Sequence, residues 1–483
     1  MMMKHRSPRS MIARVTAGLF GLLLAAAPVL AQSQDCSVLT QQALAASSQF
    51  CSSLGRNQVC YGNNQIEASG WDGVALPEFS EPGNLASVFD LSQLVTAPLD
   101  TVSNTWGVAV LSLQANLPET LPGQNVTFVV FGNTQLDNAV TPEAAVTPVT
   151  LYGTSLGRPN VRETPATNRL GIGQLRSGDR VLVVGRNAAG DWLQFVYLNS
   201  KRWVSADYIR LDGDKSTLPV VSRADAEDSA LTYTAPMQAF RVSTQPGQVN
   251  CEEVPQDGLM IQAPGQTTVN LKINDVEVSI GSTALLRLME DDNTLRLATL
   301  DGHVGLKSNS DLTVLESGNA VNIGADQSVS EPERYLYDDV RALPLGLLPE
   351  SFTLLPPQGT ELSVFVCHWG GGVLSALLPA DKPLVFAEAL GAGNAAVAER
   401  LKNTSTVTLT MDGEALPLWG ISDPYQSTVS RRAEDGGSRG TSTLYDWWFV
   451  VPHPQPGTYH LHLRWVAEQE YDYDCQITVV AEE

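Results

Sequence analysis

The chain has 483 residues, 43% hydrophobic and 17% charged, which excludes a charge-rich disordered protein and allows several packed domains of about 100–150 residues each. The formal net charge is -22 and becomes more negative if Lys4, Arg6, Arg9 and Arg14 leave with an N-terminal leader. So acidic a surface repels phosphate, which argues against nucleic acid and anionic membrane as partners and stays compatible with basic partners or divalent cations.

Residues 1–31 have the three parts of a secretory signal. Basic residues run through Arg14, Ala17–Ala27 is the apolar run, and Val29, Leu30 and Ala31 precede a cleavage point before Gln32. That run is short for a membrane span, and no later stretch stays apolar for about 18 residues, so no span is expected after cleavage. Cys36 lacks the small preceding residue of a lipoprotein signal. The expected location is secreted, extracellular or cell-surface. All six cysteines (Cys36, Cys51, Cys60, Cys251, Cys367 and Cys475) follow the leader, and an even count in an exported chain predicts disulfides. Pairing among the first four stays open, with Cys36–Cys60 the guess. Cys367–Cys475 is predicted to tie the first strand of the last domain to its last, a closure that adds about 4 kcal/mol in the chain-entropy model.

Residues 32–149 read as an α+β unit. Val38, Leu39, Ala43, Leu44 and Ala45 form a helical stripe, and strands follow at 85–91, 106–113 and 126–131. The next unit, 150–213, packs short strands closely. Asn160-Val161-Arg162 enters a turn, Gly178-Asp179 turns into Arg180–Val184, Trp192, Phe195 and Tyr197 fill a further strand, and Trp203-Val204 precedes Tyr208-Ile209. Five short strands in about 50 residues suit a small barrel. This order resembles the bacterial SH3-like domain. The resemblance implies an exported binding or anchoring module and no reaction; many such domains hold cell-wall peptide or glycan, and others are packing modules.

Residues 214–230 are acidic and polar and read as a linker, despite a faint calcium-loop look at Asp212, Asp214 and Ser216. Residues 231–325 are all strands at regular spacing, with Val269–Ile273 and Val276–Ile280 joined across Asn274-Asp275. The stretch Leu300-Asp301-Gly302-His303-Val304, with Gly281-Ser282-Thr283 and Gly318, resembles the β-domain of FecR-like envelope proteins, which implies an extracytoplasmic module linked to sensing or scaffolding. Residues 326–358 read as a Pro-rich linker with a short helix in 332–342. Residues 359–483 read as a β-sandwich whose Pro456-Gly457-Thr458-Tyr459 entry is similar to immunoglobulin-like modules.

Chemistry is sparse. After the leader only His303, His368, His453, His460 and His462 supply imidazole, and no G-x-S-x-G, H-E-x-x-H or phosphate loop is present. His460 and His462 alternate on one strand, as do Asp472 and Asp474, so pairing of those stretches would bring two histidines and two aspartates together. An outward polar sheet face has the same pattern, and that reading outweighs a metal site. Trp192, Trp203 and Tyr208 in the barrel and Tyr445, Trp447 and Trp448 near the C terminus are the candidate ligand-binding aromatics, with core packing the stronger alternative for each. The reading is a mainly β, multidomain chain: SH3-like barrel, jelly-roll or FecR-like β-domain and C-terminal β-sandwich, after a short N-terminal helix-plus-sheet unit. Its expected work is non-catalytic binding or scaffolding of envelope peptide or glycan, or of another surface protein, with no metal or cofactor. The alternatives are an exported hydrolase with an unrecognised carboxylate site and an envelope sensor partner of FecR type.

Overall fold

The computed structural model describes residues 36–114, 125–144, 151–167, 171–198, 200–218, 220–221, 233, 235–244, 257–265, 267–289, 294–308, 311–363, 373–430, 439–467 and 470–481. The leader, Cys251, Cys367 and the linker stretch 222–230 lie outside these described residues.

The protein is mainly β. A nine-stranded sheet runs in the order Glu333–Arg334, Asn319–Ile323, Leu295–Asp301, Thr283–Leu288, Gly258–Gln262, Val126–Phe131, Val108–Leu113, Gln58–Asn63 and Leu85–Ser87. It faces an eight-stranded sheet ordered Ile66–Ser69, Gln93–Thr96, Thr134–Asn138, Ala239–Thr244, Val269–Ile273, Val276–Ile280, His303–Ser308 and Asp311–Glu316. The sequence reading separates 32–149 from 231–325, and the structure corrects this. Val130 pairs with Leu259 in one sheet and Leu136 with Val242 in the other, so the two stretches build a single sandwich. Their strands share one buried cluster that includes Phe128, Val130, Phe240, Leu259 and Leu271.

The nine-stranded sheet is buried on both faces. Its second face packs Trp106, Val108, Phe131, Met260 and Leu285 under the helix Cys36–Phe50 and under residues 335–355. Double-sided burial explains why Val108–Leu113 and Val126–Phe131 are apolar without alternation: every residue in both is buried. The helix approaches this face because Gly62 has no side chain. A Cβ there would lie 2.8 Å from the Ser47 hydroxyl oxygen and 2.6 Å from the Val108 carbonyl oxygen. The hairpin at Asn274-Asp275 forms as expected, with both residues at positive φ.

Cys60 bonds to Cys51, with Cα atoms 5.7 Å apart, and not to Cys36. The correction follows from helix length. Fifteen residues of helix place Cys36 on the order of 20 Å from Cys51, so the helix's far end meets the Cys60 strand. Cys36 and Cys475 are also disulfide-bonded.

Residues 151–221 are inserted between Thr134–Asn138 and Ala239–Thr244, two neighbouring strands of the eight-stranded sheet. The insert is a five-stranded sheet ordered Ser200–Ser205, Trp192–Tyr197, Arg180–Arg186, Leu151–Ser155 and Ile209–Leu211, with a small ladder of Gly173–Gln174 on Asn160–Val161. One side encloses Val161, Val183, Leu193, Phe195 and Val204. Tyr152, Leu182 and Val196 instead join the buried cluster of the sandwich, so the insert is docked on it. The expected linker starts too early: Asp214 caps the short helix Lys215–Thr217, and Leu218 is buried in the insert's core.

Residues 333–358 form a strap rather than a free linker. Asp339, on the short helix Tyr337–Val340, is buried between two arginines that project from the nine-stranded sheet. Arg296 meets it through Nε at 3.0 and 2.9 Å and through a terminal nitrogen at 2.8 Å, and Arg287 at 2.8 Å. Arg296 also reaches Glu333 at 2.9 Å and Asn322 at 3.0 Å. Further along, Glu350 and Gln262 exchange two hydrogen bonds of 2.9 Å. The strap then meets the C-terminal sandwich, where the Trp419 indole donates to the Leu354 carbonyl at 3.1 Å and Tyr337 packs on Trp419 and His453.

That sandwich has one sheet ordered Thr360–Ser363, Leu384–Ala392, Arg439–Val451 and Leu418–Ile421, with Tyr425–Ser430 also on Arg439–Val451. The other is ordered Val373–Pro379, Glu470–Val480, Gly457–Val466, Thr406–Met411 and Glu414–Ala415. Removing the Asp339 carboxylate takes the shared acid from two buried guanidinium groups, leaving Arg296 with Glu333 and Asn322 and Arg287 with the Asp338 carbonyl. Asp339→Ala is expected to destabilise the protein by about 3–5 kcal/mol in urea denaturation. A loss below about 1 kcal/mol contradicts the clamp.

Candidate functional site

The structure buries five of the six candidate aromatics. Trp203 is 1% exposed and Trp192 8% exposed. Trp192 and Trp203 sit on adjacent strands of the insert, in the registers Trp192↔Ser205 and Gln194↔Trp203. Tyr445 and Trp447 point between the two sheets of the C-terminal sandwich with Phe386, Leu390 and Phe449. Tyr445 and Trp447 are therefore packing residues that fill a thin sandwich, whereas Trp192 and Trp203 are buried with Gln194 on the face of the insert's sheet opposite its Leu193 and Phe195 core. Tyr208 differs: it is 50% exposed, beside the exposed Leu156, whose amide donates to the Tyr208 carbonyl at 2.8 Å.

Trp448 faces the other way. Alternation along Arg439–Val451 sends Tyr445, Trp447 and Phe449 to the interior and Asp446 and Trp448 to the opposite face. There they line a cleft of about 410 Å³ between the sheet and the strap. Val385, Ala387 and Leu362 complete the sheet side, Leu355 and Pro356 the strap side, and Arg334 and Glu361 add charge. Trp448, 8% exposed, forms an edge of this wall rather than an open platform. A second groove of about 340 Å³ between the strap and Leu418–Ile421, lined by Leu343, Leu345, Phe352, Trp419 and neighbours, has no charged residue in its lining.

Two polar groups of the first cleft, Arg334 and Asp446, are held in place. The Arg334 guanidinium donates to the Pro356 carbonyl at 2.5 Å. Asp446 is anchored through its backbone, its amide donating to the Ser422 hydroxyl at 2.9 Å and its carbonyl accepting from the Ser422 amide at 2.8 Å. Its carboxylate accepts from the Tyr425 hydroxyl at 2.8 Å. Burial pushes the Asp446 carboxyl up, and the Tyr425 hydrogen bond partly offsets this. Tyr425 is pushed up to about 12, by burial first and then by the hydrogen bond to Asp446 and its charge.

Glu388 is the second displaced carboxyl. It is fully buried, and burial, then the charge of Asp446, pushes it up to about 8. Its strand pairs Glu388 with Trp447 and Ala389 with Asp446. Glu388 thus shares the inward face of Phe386 and Leu390, whereas Asp446 faces the cleft, and the two shifted acids lie on opposite sides of one sheet. The sequence signal for both was a lone carboxylate inside an apolar strand, in LVFAEALGA and in LYDWWFVV.

The histidine pair does meet the aspartate pair. His462 lies between Asp474, 2.9 Å from Nδ1, and Asp472, 3.3 Å from Nε2, while His460 Nε2 is 3.5 Å from Asp474. All four sit on the outer face of the sheet, in register His462↔Asp474. Among the described residues no group of three or more His, Cys, Asp or Glu is arranged to hold a metal ion.

No protein-family model matches the chain. No curated protein matches it either. Partial likenesses to solved structures include a Parabacteroides distasonis protein assigned as an anti-sigma factor (TM-score 0.15, 5% identity, 20% of this chain). The chain spans 41% of that structure. Others are a cysteine protease inhibitor from Entamoeba histolytica (TM-score 0.15, 9% identity, 25% of this chain and 95% of the other) and a family 123 glycoside hydrolase from Clostridium perfringens (TM-score 0.13, 12% identity, 26% and 23%). Likeness this slight carries no argument about function.

The buried Glu388 has a pH signature. Its folded pKa, about 8, lies above its ordinary value of 4.5, so the folded chain keeps a proton that the unfolded chain releases. Stability from this group is full below pH 4.5 and declines up to pH 8. Glu388→Gln should gain on the parent by on the order of 5 kcal/mol across that window in pH-dependent urea denaturation. Parallel stability curves for the two proteins would contradict the assignment.

Proposed function

We propose that this chain is an exported, non-catalytic binding or scaffold protein that works at the cell envelope or outside the cell. The observation that carries the reading is the cleft of about 410 Å³ under the strap, with an aromatic edge, aliphatic walls and both signs of charge. Ligand sites typically have about 300–1,000 Å³ and a few convergent polar groups on an apolar lining. The disulfide Cys51–Cys60 and the bonded Cys36 and Cys475 favour an oxidising compartment. Among the described residues no helix is long and apolar enough to cross a membrane. For the exported-hydrolase alternative, the two displaced carboxyls, Glu388 and Asp446, face apart, and the second acid of the cleft is the exposed Glu361.

A second reading places the ligand on the inserted module, read as SH3-like, at Tyr208 and Leu156. Their exposure favours it. Retention of residues 32–483 on isolated bacterial envelope material separates the two. Ala387→Leu narrows the cleft and should lower retention by about fivefold or more, with Tm within about 3 °C of the parent, while Tyr208→Ala leaves retention unchanged. Loss with Tyr208→Ala alone moves the site to the insert. No retention of the parent chain removes the envelope-binding function.

A further inference from the structure

We infer that the cleft under the strap recognises a basic side chain, lysine or arginine, presented by an extended segment of a partner protein. The inference rests on the binding reading above and gives it a ligand class.

Three features lead there. First, the charge of the lining is uneven. Asp446 and Glu361 supply two carboxylates against one guanidinium, and Arg334 is already engaged with the Pro356 carbonyl. Arg334 keeps its charge while it donates to a neutral carbonyl, so the lining carries one net negative charge, which favours an incoming cation over an incoming carboxylate. Second, the walls match the rest of such a side chain. Val385 and Ala387 offer an aliphatic track for a methylene stem beside the Trp448 side chain. Third, the whole chain carries a formal charge of -22, which attracts basic partners over distance and repels acidic ones. The Asp446 carboxylate is held ready, since Tyr425 fixes one oxygen at 2.8 Å and Ser422 fixes the backbone on both sides. Burial disfavours the ionised form of Asp446, so a bound cation would restore what burial removes, and binding should strengthen as pH rises through the acid range.

The test is fluorescence anisotropy on residues 32–483 with a labelled, end-blocked peptide alternating glycine and arginine, and with its glutamate counterpart. The arginine peptide should bind and the glutamate peptide should not. Asp446→Asn and Glu361→Gln should each weaken binding by about fivefold or more, and Asp472→Asn, an acid on the outer sheet face, should leave it unchanged. Glu361 is exposed on its strand, so its variant reports on recognition even if Asp446→Asn disturbs folding. The inference falls if neither cleft variant changes binding, if Asp472→Asn weakens it equally, if glutamate peptide binds as well, or if no arginine peptide binds. Should envelope retention still depend on Ala387 in any of those cases, the cleft remains the binding site and only the ligand class is wrong. If both retention and peptide binding are absent, both readings fail.

Discussion

One buried carboxylate organises the strap. Asp339 pairs with both Arg287 and Arg296, two guanidinium groups that the nine-stranded sheet presents on a face otherwise lined by Met260, Leu285 and Ala298, and Glu333 supplies Arg296 with a second carboxylate. Charges in such a place persist when each is paired and hydrogen-bonded, and here Asp339 also accepts from the Leu336 amide at 2.8 Å. The consequence is directional. With residues 336–341 fixed, the chain after them must run along the sheet through Glu350 and Gln262 and arrive at Leu354–Pro356 beside the C-terminal sandwich. The cleft exists because the strap ends there.

The same face explains the core. A sheet buried on one side needs alternating residues, whereas one buried on both sides needs continuous apolar strands. Val108–Leu113 and Gly258–Gln262 are of the second kind, while the edge strand Asp311–Glu316, with Leu312 and Val314 exposed and Leu315 buried, is of the first. Helix Cys36–Phe50 and the strap provide the second cover, and the Cys51–Cys60 bond fastens the helix's end to the strand beneath it.

Much of the local structure was legible. Asn274-Asp275 and Asp412-Gly413 announced turns and take up the left-handed backbone such turns require. His460 and His462 met Asp472 and Asp474 because strand alternation fixes which side chains share a face. Long-range pairing was not legible: nothing near Val130 marks Leu259 as its neighbour, so one sandwich read as two units and its insert as a domain in series. The aromatic run at 445–449 misled for a related reason. Period-two alternation leaves open which set faces the core, and here Tyr445, Trp447 and Phe449 took the interior. Asp446, the residue out of character in that run, marked the outward face and the cleft. The carboxylate buried in LVFAEALGA marked no second half of a site, because Glu388 shares its face with Phe386 and Leu390.

The central claim is that this protein holds a ligand where the strap meets the C-terminal sheet. Hydrogen–deuterium exchange on residues 32–483, with and without a saturating bound ligand from the envelope, tests it most directly. The account predicts slowed exchange in 354–362, 384–388 and 446–448, the backbone that lines the cleft, with the insert unchanged. Protection confined to 151–211, with the cleft strands exchanging as before, would contradict it.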